Sequence, residues 1–146
     1  MAHPAHSLSL WKHRHGIVTV IGIIANLIFA IPLLFAPEFI LGLFGIPIGQ
    51  LTWPRFAGGL LIILSCFYVP MVVDLDRFRI LAWLQILPSR LFGTVFFLTA
   101  VIGFGAPAGF IAGALVDGIF TLALLYCLIN IVKIEQEIAT GGGAAE

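Results

Sequence analysis

Residues 80–104 read ILAWLQILPSRLFGTVFFLTAVIGF, and beyond Gly105-Ala106-Pro107 residues 108–132 read AGFIAGALVDGIFTLALLYCLINIV. Each run carries one ionisable side chain, Arg90 in the first and Asp117 in the second. A helix rises about 1.5 Å per residue, so about 20 apolar residues cross a hydrocarbon core. Both runs are long enough. Neither shows the strict apolar–polar alternation that a membrane barrel strand requires. The Gly/Ala/Pro connection leaves room only for a tight hairpin, which makes the two helices antiparallel neighbours.

Working outward, residues 16–35 form a run without any charged side chain, and residues 56–73 form another, entered by Arg55 and left before Asp74. Four spans follow: 16–35, 56–73, 80–104 and 108–132. The fold class is all-α, an integral membrane antiparallel four-helix bundle. Residues 1–15 read as a cytoplasmic leader with basic and His residues, residues 16–132 as the membrane domain, and residues 133–146 as a flexible cytoplasmic tail. A cleavable signal peptide is the competing reading of the first span. Its apolar run exceeds the ~7–15 residues of a signal core, and Pro32 and Pro37 interrupt the cleavage context.

Composition agrees. The chain has 146 residues, 61% hydrophobic and 10% charged, with a mean hydropathy of +1.15; soluble domains run near ~45–50% apolar and ~25% charged. Seven basic and seven acidic residues cancel, which removes nucleic acid as a partner. Cys66 and Cys127 lack C-x-x-C spacing, which excludes a disulfide scaffold, a zinc site and a dithiol centre.

Orientation follows the basic residues. Lys12, Arg14, Arg77, Arg79 and Lys133 flank one side of the spans, and Arg55 alone flanks the other. Both termini are therefore expected in the cytoplasm. The first outer loop, residues 36–53, is itself apolar but too short to span. A short interfacial or re-entrant helix fits, opened by Pro37 and Glu38 and closed at Gly45 before Pro47. Trp11 and Trp53 suit anchors at opposite interfaces. No shared polar spacing relates the two halves, so an inverted repeat gains no support.

Arg90 lies about 15 Å beyond Ile80, and Asp117 about 22 Å short of Val132. Both fall near mid-membrane, where a lone charge costs at least about 2.5–3.5 kcal/mol. They are expected to pair, because a guanidinium forks onto a carboxylate. Such a pair either sets helix register alone or handles a proton, a quinone-like headgroup or an anion. Small and polar rows accompany it: Gln85, Ser89 and Gly93 with Arg90 and Thr94 beside them; Gly109, Gly113, Asp117 and Thr121; Gly22, Asn26 and Ala30; Arg55, Gly59, Ile62 and Cys66. Turned inward, these rows serve close helix packing or line a cavity. The candidate buried polar site is Arg90, Asp117, Gln85, Asn26 and Arg55. Arg55 either snorkels to headgroups or contacts an anion beside the first loop. Pro32, Pro70 and Pro88 are placed to kink their helices, and Tyr68 either packs at an interface or donates into the bundle.

Several chemistries are rejected. His3, His6, His13 and His15 all precede the first span, which excludes a bis-histidine membrane haem. Neither a metal nor a catalytic residue set is expected, since no nucleophile–base pair, phosphate loop or dinucleotide fingerprint is present. Asp117 is the one carboxylate in a span, which removes paired-carboxylate hydrolysis.

Pro37 with the apolar loop and Gly45, Arg55-Phe56-Ala57-Gly58-Gly59, the charged turn, Ser89-Arg90-Leu91 and Asp117 together resemble the small four-span DoxX-like bacterial membrane proteins, from about residue 17 to 128. The resemblance implies an accessory integral-membrane component, some of the group being linked to quinone-dependent oxidation of sulfur compounds, and brings no catalytic motif. Two functions stay open. One is a non-catalytic accessory or scaffold component that packs against a membrane partner or a second copy through small-residue faces. The other is a small-molecule site for proton-coupled transport or quinone-linked redox around Arg90, Asp117 and Gln85. A cavity lined by those three favours the second; a dry interior with small residues facing lipid favours the first.

Overall fold

The computed structural model describes residues 4–142, and these are all-helical apart from turns. His3 of the leader and residues 143–146 of the tail lie outside them. The elements are α1 (Pro4–Phe35), α2 (Pro37–Leu43), α3 (Thr52–Val73), α4 (Arg79–Leu84), a π-helical segment (Gln85–Leu91), α5 (Phe92–Phe104) and α6 (Phe110–Gly142). Four stretches are long and apolar enough to cross a membrane: Ala5–Phe35, Thr52–Val73, Arg79–Phe104 and Phe110–Thr140.

The helices outrun the expected spans. α1 begins within the leader, and α6 carries residues 133–142 as helix where a loose tail was expected. The reason is ionic. Lys12 Nζ meets Asp76 at 2.7 Å and Glu135 at 3.5 Å, while Arg79 forks onto Glu135 at 2.5 and 2.6 Å and reaches Asp76 at 2.7 Å. This network ties both extensions to the turn between α3 and α4. The hydrogen bond from Lys12 holds the Asp76 carboxyl below its ordinary range, and that from Arg79 does the same for Glu135.

Pairings between the third stretch and α6 descend in order: Arg79 with Glu135, Arg90 with Asp117, and the stacked rings of Phe97 and Phe110. α1 packs against both α3 and α6. Gly58 permits the α1–α3 contact, because a Cβ there would lie 2.7 Å from the Ala30 carbonyl oxygen. α2 starts with Pro37 at its first turn, where the missing N–H costs nothing, and Gly45 turns the chain away at φ +62°. Gly105, at φ +65°, closes α5, with the Ala106 N–H returning to the Ala100 carbonyl at 3.0 Å, the left-handed cap that glycine accepts without strain.

Pro32 and Pro70 lie within continuous helix. Pro88 is accommodated differently. A proline removes one hydrogen bond and crowds the preceding turn, and the chain widens there into the π-helical segment. The widening re-phases the helix, so Gln85, Ile86 and Arg90 are all buried while Leu87 and Pro88 face out.

The apolar core lies at the end that carries the termini. Tyr68, Met71, Ala82, Ile86, Leu124, Leu128 and Ile131 are buried together there. The opposite half is looser. The expected interior row on α3 is corrected: Cys66 is exposed and nothing lies within 4 Å of a Cβ built on Gly59, whereas Gly58, Ser65 and Tyr68 face inward.

Candidate functional site

Arg90 and Asp117 meet as the mid-span depth argument requires. Arg90 Nη1 donates to Asp117 Oδ1 at 2.7 Å, and Nη2 donates to the Gly22 carbonyl at 3.2 Å. The guanidinium is 4% exposed and the carboxylate 20%. Two rings flank the cation, with Phe120 and Tyr68 centroids 5.0 and 5.8 Å from Cζ, a favourable placement against a π face. Two glycines make this approach possible. A Cβ on Gly22 would stand 3.2 Å from Arg90 Nη2, and a Cβ on Gly93 would stand 2.2 Å from Asp117 Oδ2.

The pair forms the floor of a cavity of about 870 Å³ between α3 and the third stretch. Ala57, Leu60, Leu61 and Leu64 wall one side; Phe92, Gly93, Phe96 and Phe97 wall the other; Asn26 and Leu33 of α1 form the back. Residues 46–50 with Trp53 and Pro54 close the far end. Phe92 and Phe96 are exposed, so the cleft opens on the flank of the bundle. Around the floor, the Tyr68 hydroxyl and Ser89 Oγ share a 2.5 Å hydrogen bond, and Asn26 Nδ2 donates to Ser65 Oγ at 3.3 Å. The arrangement is an apolar cleft with donors and one carboxylate gathered at its base, the usual build of a small-molecule site.

The expected site residues divide. Arg90, Asp117 and Asn26 line the cavity together. Gln85 is 1% exposed and does not line the cavity, and neither amide atom finds a hydrogen-bond partner among the described residues. Arg55 is exposed and does not line the cavity, although its neighbours Trp53 and Pro54 do. It sits on the outward side of α3, one residue away from the inward row. Tyr68 and Ser89 belong to the floor, and Tyr68 donates or accepts inside the bundle instead of anchoring at an interface. The signal for Tyr68 was its spacing from Ser65, which places both on one helix face. His15, placed in the leader by its sequence, and Thr19, within the first span, are fully buried polar groups. Among the described residues no cluster of His, Cys, Asp or Glu is placed to hold a metal ion.

No family model, curated protein or solved structure matches this chain. The site is therefore read from its own geometry.

Proposed function

We propose that the chain is a DoxX-like membrane protein, an antiparallel four-span bundle with both termini in the cytoplasm, that binds an amphipathic small molecule between its second and third spans. One observation carries this reading: the charged pair lies at the floor of a cavity of about 870 Å³ that opens on the bundle flank. Such a volume suits a drug-sized molecule. An apolar body would enter from the acyl phase between Leu60 and Phe96. An oxygen-bearing head would then reach Arg90, Tyr68 and Ser89 as donors, with Asp117 accepting from a hydroxyl. Quinones and small organic anions with apolar tails share this chemistry, and quinone-linked redox or proton-coupled transport are the activities it would serve.

The test is retention. Full-length protein purified in mild detergent is examined by native mass spectrometry and solvent extraction, and is titrated with a short-chain quinone and with a fatty acid. Wild type should retain or bind one of them, Ala57→Trp should exclude it by filling the cleft, and Tyr68→Phe should weaken it. Equal binding by wild type and Ala57→Trp, or none by wild type, overturns the reading.

One observation favours a second reading. The outward side of α3 presents Gly59 with open space above it and Cys66 exposed nearby, a small-residue surface on which a partner helix or a second copy could pack. Cross-linking through Cys66 tests it. A dimer that persists after Gly59→Leu counts against that face.

A further inference from the structure

The two charges at the floor of the cleft are unequally open to it. Asp117 shows 20% of its side chain and Arg90 only 4%. Arg90 is held from several sides: Nη1 donates to Asp117 Oδ1, Nη2 donates to the Gly22 carbonyl, and the Phe120 and Tyr68 rings lie 5.0 and 5.8 Å from Cζ. Its Nε is buried. The carboxylate, in contrast, is committed through one oxygen. Oδ2 accepts no hydrogen bond from the described residues, and it lies against Gly93, where an added Cβ would collide with it. Gly93 and Asp117 both line the cavity. An ionised carboxyl has about four lone-pair sites, so a charged acceptor with free capacity borders the cleft.

The neighbouring polar groups limit what can meet that acceptor. The Tyr68 hydroxyl and Ser89 Oγ share one hydrogen bond, which uses one of their two O–H groups and leaves the other to donate. Asn26 Nδ2 donates to Ser65 Oγ, and its Oδ1 accepts nothing from the described residues. All of Asn26, Tyr68, Ser89 and Asp117 line the one cavity. A head that only accepts, such as a ketone or an ether, sets its lone pairs against Asp117. A sulfonate or carboxylate head adds a like charge beside Asp117, and an ammonium adds one beside Arg90. A hydroxyl meets both needs, donating to Asp117 Oδ2 and accepting from Tyr68 or Ser89. Depth points the same way. α3 walls the cleft from Trp53 to Tyr68, about 22 Å of helix. The floor lies near mid-span, where a net charge is costly, so a head arriving there from the acyl phase is best neutral.

We propose that the cleft takes a neutral apolar molecule ending in a hydroxyl, an aliphatic alcohol or a phenol, with Asp117 accepting its O–H. The proposal rests on the binding reading above and narrows it. The charged pair selects a donor, and Arg90 fixes the carboxylate in place and balances its charge rather than holding an anion.

The experiment equilibrates full-length protein in lipid nanodiscs with radiolabelled decanol, decyl methyl ether, decanesulfonate and decylammonium, and with para-octylphenol and its methyl ether. Binding is counted as the excess over empty nanodiscs, with Ala57→Trp as the filled-cleft control. Decanol or octylphenol should bind wild type about tenfold or more tighter than its own methyl ether, as a hydrogen bond to a charged acceptor requires, and tighter than either ion. Which of the two hydroxyl compounds binds separates an aliphatic alcohol from a phenol. The double variant Arg90→Met with Asp117→Leu should bring that compound down to the level of its ether. Equal binding of hydroxyl compound and ether by wild type, or tighter binding of decanesulfonate or decylammonium, would overturn the proposal and leave the cleft a binding site. A hydroxyl preference that survives the double variant would overturn it too, by placing the acceptor elsewhere. If none of these compounds binds above empty nanodiscs, or Ala57→Trp binds them as well as wild type does, the binding reading fails with it.

Discussion

Gly93→Ala isolates the ion pair without touching either charge. The added methyl would stand 2.2 Å from Asp117 Oδ2, and ordinary contact begins near 3.4 Å, so the carboxylate must retreat by more than about 1 Å. Its hydrogen bond from Arg90 Nη1, now 2.7 Å, would stretch beyond hydrogen-bonding range. Arg90, 4% exposed, would keep only the long contact to the Gly22 carbonyl. Breaking a buried pair from one side costs about 3–5 kcal/mol, against about 0.5–1 kcal/mol that Ala gains over Gly within a helix. A net loss of about 2–4 kcal/mol is expected in unfolding measurements in mixed micelles. The diagnostic comparison is the same substitution in an Asp117→Ala background. With the carboxylate gone, the two close contacts of the methyl are removed and the Cβ of residue 117 stays at an ordinary 3.7 Å, so Gly93→Ala should be neutral or slightly stabilising there. Equal destabilisation in both backgrounds would show that the methyl disturbs backbone packing, and the account of Gly93 as room for the carboxylate would fail.

Replacing both charges, Arg90→Met with Asp117→Leu, should leave a folded protein of equal or greater stability, by up to about 4 kcal/mol, that no longer retains the cleft's molecule; marked unfolding of this double variant would make the pair a structural staple. Gly58→Val should weaken the α1–α3 contact by about 1–3 kcal/mol, since its Cβ meets the Ala30 carbonyl oxygen at 2.7 Å, whereas Gly59→Ala, with open space above it, should be neutral or slightly stabilising in the same thermal unfolding assay. The carboxyls of Asp76 and Glu135 are held below their ordinary range, so their stabilisation is complete above the unfolded-chain value near ~4 and is lost as pH falls through the lowered folded values. Hydrogen exchange should therefore show residues 5–12 and 133–140 losing protection in acid while residues 16–35 keep theirs; the effect stays within about 1 kcal/mol because these groups face solvent, and Lys12→Ala should reduce its size.

The spans were legible because hydropathy and length answer one question, how an apolar run is to be covered. Arg90 and Asp117 were legible as a pair because each charge stands alone in its run at matching depth. What escaped detection shares a cause. The inward side of α3 cannot be told from a small-residue row when Gly58 and Gly59 are adjacent, and one residue of phase moves Arg55 out of the site and brings Tyr68 in. Gln85 was expected to share a cavity lining with Arg90, but it is buried at the start of the π-helical segment around Pro88 and does not line the cavity, and such a change of period is not written in hydropathy. The helical character of residues 4–15 and 133–142 escaped because these segments are joined by Lys12, Asp76, Arg79 and Glu135, four charges distant in sequence whose proximity exists only once the helices are packed.

The placement of the pair argues for a binding role over register alone. Toward the termini, Ile86, Leu124 and Leu128 are buried to within 1% exposure, and the ionic network closes that end; this half already fixes the helices relative to one another. The charges stand where that packing stops, with a cavity on their other side. Their approach uses glycine at 93, where a Cβ would stand 2.2 Å from Asp117 Oδ2, and is eased by glycine at 22. A device for register would sit most effectively inside the packed half, where a misaligned charge would be most costly. At the boundary, the guanidinium and carboxylate instead keep one side open to an occupant, which is the position of a group that exchanges partners.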